Sequence, residues 1–133
     1  MTLEHVAIWT DQLEVLRSYY ERFFGGQANA RYTNEAKQFQ SYFLTFASGA
    51  RLELMSRPGI PANQNDTVQQ QYRGIIHLAF GVDTMAEVDA KAAELASQCF
   101  PILSGPRRTG DGYYEFETLD PDHNRLEVTT LYR

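Results

Sequence analysis

Two short segments of the chain recur in the same order, and that recurrence limits the fold more than any other feature. His5-Val6-Ala7-Ile8 returns 72 residues later as His77-Leu78-Ala79-Phe80, and Arg51-Leu52-Glu53-Leu54 returns 74 residues later as Arg125-Leu126-Glu127-Val128. The two His-to-Glu separations are 48 and 50, equal within one short loop change. A single four-residue match arises easily by chance. Two in order at nearly constant spacing mark a duplicated supersecondary unit.

The segments between the matches agree with this. After His5, Gln12 to Phe24 carries Leu13, Leu16, Tyr20 and Phe23/Phe24 at helical spacing. Asp11 is placed to cap its start with Glu14 three residues on, and Gly25-Gly26 supplies a left-handed stop. After His77, Met85 to Gln98 carries Val88, Ala92 and Leu95 on one face, entered by the capping-box sequence Thr84-Met85-Ala86-Glu87. Strand and turn signals follow each helix. In the first copy they are a short Arg31–Thr33 strand, Gln40 to Ala47, a Ser48-Gly49 turn and Arg51 to Ser56. In the second they are Pro101 to Leu103, Tyr113 to Leu119, an Asp120-Pro121-Asp122 turn and Arg125 to Leu131. His123 belongs to that turn. Each copy therefore reads as βαβββ.

Module one spans about 1–57 and module two about 74–133 of a single domain over 1–133. The stretch Pro58 to Arg73, with two prolines and little periodicity, reads as the linker. A half of about 60 residues buries little surface alone, so each must pack on its sister or on a partner chain, and a homodimer is expected.

Composition narrows the function class. A net charge of −5 with no Lys/Arg run argues against nucleic-acid or anionic-membrane partners. The one cysteine, Cys99, cannot form an internal disulfide. No apolar run reaches the roughly 18 residues of a transmembrane helix. The opening Met1-Thr2-Leu3-Glu4-His5 lacks the basic start of a signal peptide, so the cytoplasm is the expected compartment.

Strand parity singles out four residues. Glu53 lies opposite Leu52 and Leu54, Glu127 opposite Leu126 and Val128, and His77 opposite Ile76, Leu78 and Phe80, while His5 shares parity with Leu3 and Ala7. A lone strand His or Glu is ordinarily solvated; the matched offsets set these four apart. Two imidazoles and two carboxylates suit a borderline divalent ion with positions left for water or substrate. Without a metal, crowded carboxylates repel and one takes up a proton.

The opening His-Val-Ala-Ile, central Arg-Leu-Glu-Leu, second His-Leu-Ala-Phe and closing Leu-Asp-Pro-Asp-His-Asn-Arg-Leu-Glu-Val resemble the vicinal oxygen chelate superfamily over nearly the whole chain. The resemblance implies an α+β fold of paired βαβββ modules forming a curled mixed sheet around a metal site. The order His5, Glu53, His77, Glu127 matches glyoxalase I. Methylmalonyl-CoA epimerase has Gln where Glu53 stands, extradiol dioxygenases and fosfomycin-resistance enzymes use two His and one Glu, and bleomycin-binding members lack the metal set.

The resemblance implies a lactoylglutathione lyase-like metalloenzyme. It would act as a lyase or isomerase on a small carbonyl, hemithioacetal-type substrate by proton transfer through an enediolate. Glu127 is implied as the base, with Glu53 as the opposing carboxylate. The cofactor is one divalent ion per site, zinc or nickel first, with manganese, cobalt and iron as alternatives. In glyoxalase I dimers His5 and Glu53 would meet His77 of the partner subunit and Glu127 of the partner subunit. Alternatives on the same scaffold are a metal-dependent dioxygenase, an antibiotic-modifying thiol transferase and a non-catalytic small-molecule-binding protein.

The sequence departs from bacterial glyoxalase I where Trp9 replaces an Arg used for the thiol cofactor's carboxylate. The stretch Arg107 to Tyr114 reads as a glycine-containing loop with cations for an anionic substrate and aromatics for stacking. Trp9, Arg107 and Tyr114 are thus the candidate substrate contacts.

Overall fold

A computed structural model describes residues 1–64 and 67–132. The chain divides into two compact units, Met1–Ala62 and Asn63–Arg133. The division falls within the stretch 58–73, whose Asn65 and Asp66 lie outside the described residues.

The first unit contains β1 (His5–Trp9), α1 (Leu13–Phe24), β2 (Gln27–Ala28), β3 (Tyr32–Asn34), β4 (Phe39–Thr45) and β5 (Arg51–Ser56). Its sheet order is β1-β5-β4-β2, with β3 also paired to β4. β1 is parallel to β5, and the other pairs are antiparallel. The second unit contains β6 (Leu78–Gly81), α2 (Met85–Ser97), β7 (Ile102–Arg108), β8 (Tyr113–Leu119) and β9 (Arg125–Leu131), in sheet order β6-β9-β8-β7. β2 and β3 together flank β4 where β7 alone flanks β8, so both units are βαβββ, the first with its second strand broken in two.

Each helix covers one face of its own sheet. Leu13, Leu16, Tyr20 and Phe23 of α1 are buried with Leu44, Leu52 and Leu54. Val88, Ala92 and Leu95 of α2 are buried in a unit whose strands bury Phe116, Leu126 and Val128. The α2 capping box forms as its sequence predicts, Thr84 Oγ1 accepting from the Glu87 N–H at 3.2 Å while the Glu87 carboxylate accepts from the Thr84 N–H at 2.9 Å. α1 starts differently from expectation. Gln12, not Asp11, is the N-cap and makes no side-chain cap bond. Glu14 instead turns to β4, accepting a 2.7 Å hydrogen bond from the Tyr42 hydroxyl, which holds the Glu14 carboxyl below its ordinary pKa. Gly25 stops the helix at φ 69°, and the Gly26 N–H donates to the Tyr20 carbonyl at 3.1 Å.

The largest difference from the sequence reading is β7. Expected only over Pro101–Leu103, it continues to Arg108, and the loop expected over 107–114 shrinks to the turn before Tyr113. Two register shifts, between Ile102/Ser104 and between Ser104/Arg107, let this edge strand pass Gly105-Pro106 and still pair with β8. Gly105 makes the second shift possible: its φ is +83°, and a Cβ there would lie 2.4 Å from the Glu115 carbonyl oxygen.

Gly105→Ala should therefore destabilise the chain by about 2–3 kcal/mol. Gly110→Ala, where an added Cβ meets nothing within 4 Å, should shift the denaturant midpoint little. Equal midpoints for the two variants would refute the close-approach account.

Candidate metal centre

Burying one sheet face under a helix leaves the alternate residues on the other face, and the repeat-matched His and Glu stand there. In the first unit the register sets Ala7 beside Glu53 and Glu53 beside Phe43. His5 Nε2 lies 3.5 Å from Glu53 Oε2. In the second unit Ala79 pairs with Glu127. His77, immediately before β6, brings its Nε2 to 3.6 Å from Glu127 Oε2. Bond lengths of about 2.0–2.2 Å place two ligand atoms of a tetrahedral ion about 3.3–3.6 Å apart, a spacing that the His–Glu distance in either unit matches. Both glutamates are well shielded, their side chains 15% and 13% exposed, whereas the imidazoles remain about one-third exposed.

The units differ in what surrounds the pair. Glu117, directly opposite Glu127 across the β8–β9 ladder, joins His77 and Glu127 in a group whose ligand atoms all lie within 4.8 Å of one another. At the corresponding position of the first unit stands Phe43, whose ring meets the His5 ring edge-on at 5.2 Å. Buried Arg125 donates to Glu117 Oε2 at 3.0 Å and to the Thr67 carbonyl. Its repeat mate Arg51 bonds Glu4 and stacks over Phe43 at 4.2 Å. Burial raises the Glu127 carboxyl above its ordinary pKa; His77 opposes the shift, while Glu115 and Glu117 add to it.

The candidate substrate contacts separate. Trp9 shares the parity of His5 on β1, with Phe39 edge-on at 6.1 Å and the Arg57 guanidinium 5.0 Å from its ring. Arg107 is paired with Glu115 in the β7–β8 ladder, its guanidinium 3.9 Å from that carboxylate, on the parity of Glu117. Tyr114 has the other parity and donates a 2.7 Å hydrogen bond to Asp89 of α2, so it stands on the helix side. His123 is a turn residue at φ 64°, within a loop in which the Asp120 carboxylate accepts the Asp122 and Asn124 N–H groups at 2.9 Å.

Glu115 and Glu117 were not singled out from the sequence. The signal was there: Glu115-Phe116-Glu117-Thr118 alternates, and pairing outward from the Asp120–Asn124 turn sets Glu117 against Glu127.

The chain belongs to the Glyoxalase/Bleomycin resistance protein/Dioxygenase superfamily, whose family model matches residues 2–128. Among solved structures it is similar to a glyoxylase/bleomycin resistance protein/dioxygenase domain from Frankia sp. EAN1pec, with a TM-score of 0.80 and 17% identity over 99% of this chain and 98% of that one. The trypanothione-dependent glyoxalase I of Leishmania major gives a TM-score of 0.75 and 20% identity over 96% and 85% of the two chains. Lactoylglutathione lyase from Agrobacterium tumefaciens gives 0.65 and 21% over 95% and 90%. At such identities the likeness establishes the fold alone. No curated protein matches the chain significantly in sequence. Among the described residues no helix is long and apolar enough to cross a membrane.

The raised Glu127 pKa fixes the sign of a pH effect. A carboxyl that holds its proton more tightly folded than unfolded opposes folding as pH rises through the interval between its two pKa values. In the metal-free chain Glu127→Gln should therefore raise Tm at neutral pH and leave it unchanged below the ordinary carboxylate pKa. A neutral-pH Tm at or below that of wild type would contradict this.

Proposed function

We propose that the chain is a glyoxalase I-like, metal-dependent lyase or isomerase. In this reading it moves a proton between adjacent carbons of a small, hemithioacetal-type carbonyl substrate. The observation that carries the reading is the same His Nε2–Glu carboxylate pair in both units, at 3.5 and 3.6 Å. His5, Glu53, His77 and Glu127 would together hold one divalent ion, zinc or nickel before manganese, cobalt or iron. The ion would supply the positive charge that makes a proton beside a carbonyl removable near neutral pH.

Glu127 takes that proton and returns it to the neighbouring carbon, and Glu53 is the opposing carboxylate. Trp9 and Arg107, both on the parity of the ligand residues, would contact the apolar and anionic parts of the substrate. Tyr114, expected as a third substrate contact, stands on the helix side bonded to Asp89 and is left out of this reading. Residues 1–133 act as one functional domain, the chain works as a cytoplasmic homodimer, and its partner is a small molecule. The dioxygenase and thiol-transferase readings need only one glutamate ligand, whereas Glu53 faces His5 as Glu127 faces His77.

The first test is elemental analysis of the purified wild type and of a His5→Ala, Glu127→Ala double variant. About one divalent ion per site, lost in the double variant, is expected. A wild type that takes up no ion even on reconstitution would sink the enzyme reading in favour of a small-molecule-binding protein. In the zinc- or nickel-loaded protein, Glu127→Gln should lower kcat for hemithioacetal isomerisation by about 10²–10⁴. Oxygen consumption by an iron-loaded form, with no isomerisation, would move the chain to the dioxygenase alternative.

A further inference from the structure

We infer that Glu4 and Arg51 are positioning residues for His5: Glu4 accepts the His5 Nδ1 proton, Arg51 holds Glu4 in place, and the Nε2 lone pair is thereby turned toward Glu53. This rests on the metal-site reading above and adds what fixes one of its ligands. A histidine can bind a cation through Nε2 only when that nitrogen carries no proton, and the hydrogen bond made by the other nitrogen sets which one does.

The contacts form a connected chain. His5 Nδ1 is hydrogen-bonded to Glu4 Oε2. The other Glu4 oxygen, Oε1, accepts from Arg51 Nε at 2.9 Å and from Arg51 Nη2. The Glu4 backbone is fixed as well, since its carbonyl accepts from the Arg51 N–H at 2.9 Å. Arg51 lies over the Phe43 ring at 4.2 Å, and that ring meets His5 edge-on at 5.2 Å. One carboxylate thus sets the tautomer and one aromatic ring sets the plane of the imidazole. On the side away from Glu4, His5 Nε2 faces Glu53 at 3.5 Å.

The second unit shows that this is not a by-product of the repeat. Residue 76, before His77, is an isoleucine with no acceptor in its side chain. Arg125, the counterpart of Arg51, is committed to Glu117 and the Thr67 carbonyl. Among the described residues, carboxylate support of the ring's outer nitrogen therefore belongs to His5, and His77 serves as an internal control.

The test uses the full, metal-free chain with ¹⁵N-labelled histidine, at a pH where the imidazoles are neutral. In the wild type, long-range ¹H–¹⁵N correlation should show His5 protonated at Nδ1. Glu4→Ala should move it toward the Nε2-protonated form while His77 and His123 stay as they are, and Arg51→Met should do so in part. Zinc affinity, read by competition with a chromophoric chelator, should fall about 10–100-fold in Glu4→Ala. Glu4 is exposed, so loss of fold is not expected, and far-UV circular dichroism checks this. An unchanged His5 tautomer in Glu4→Ala would overturn the inference. A switched tautomer with undiminished zinc affinity would instead overturn His5 as a ligand, and with it that part of the proposed site. A loss of zinc affinity without any tautomer change would assign Glu4 a purely electrostatic role and also refute positioning.

Discussion

Strand alternation under a helix is the constraint on which the rest of the structure depends. Once Leu52 and Leu54 are committed to the face beneath α1, and Leu126 and Val128 to the face beneath α2, a one-residue slip in either sheet would expose apolar side chains and bury glutamates. The register that keeps the leucines inside is the same register that sets Ala7 beside Glu53 and Ala79 beside Glu127. Small residues at positions 7 and 79 leave room beside each carboxylate. The geometry of the His–Glu pairs thus follows from core packing. A duplicated core repeats the site, provided the first and last strands of each unit stay neighbours, as the parallel β1–β5 and β6–β9 pairings ensure.

Duplication did not keep the surroundings equal. In the first unit the face that carries His5 and Glu53 is lined by aromatic rings, Phe43 against His5 and Phe39 against Trp9. In the second unit the corresponding face carries Glu115, Glu117 and Glu127, with Arg107 and Arg125 as counter-charges. The repeated arginines show the divergence most clearly: one is buried and ion-paired to Glu117, the other is partly exposed and bonded to Glu4. A pair of matched positions can preserve a metal-ligating residue type while everything that tunes it changes.

The βαβββ plan was legible because its signals are local. Apolar spacing marked both helices, Thr84 to Glu87 marked one start and Gly25 one end, and the Asp120–Asn124 turn marked the last hairpin. The four candidate ligands were legible through their matched offsets. What was missed depends on partners far along the chain. Glu14 could not be recognised as a partner of Tyr42 on β4, so Asp11 looked like the cap. The length of β7 was hidden because Gly105 and Pro106 read as loop, whereas the bulges and an edge position let the ladder continue. Tyr114 looked free for substrate because its strand parity and its bond to Asp89 appear only when β8 is placed against α2. Glu117 needed the hairpin to be counted outward from its turn.

Glu117 also shows how a site declares itself through local conflict. Like charges directly opposite each other across an antiparallel ladder are destabilising, yet Glu117 faces Glu127 with Glu115 nearby, and burial raises the Glu127 pKa. A sequence selected for stability alone would place an uncharged or cationic residue at one of these positions. Arg125 relieves part of the repulsion through Glu117, and Arg107 stands near Glu115, but neither is within ion-pair distance of Glu127, whose nearest counter-group is His77 at 3.6 Å. Among the described residues the carboxylate therefore stands beside a His nitrogen with no cationic side chain in ion-pair reach, an arrangement that a divalent cation would turn from a cost into a binding site.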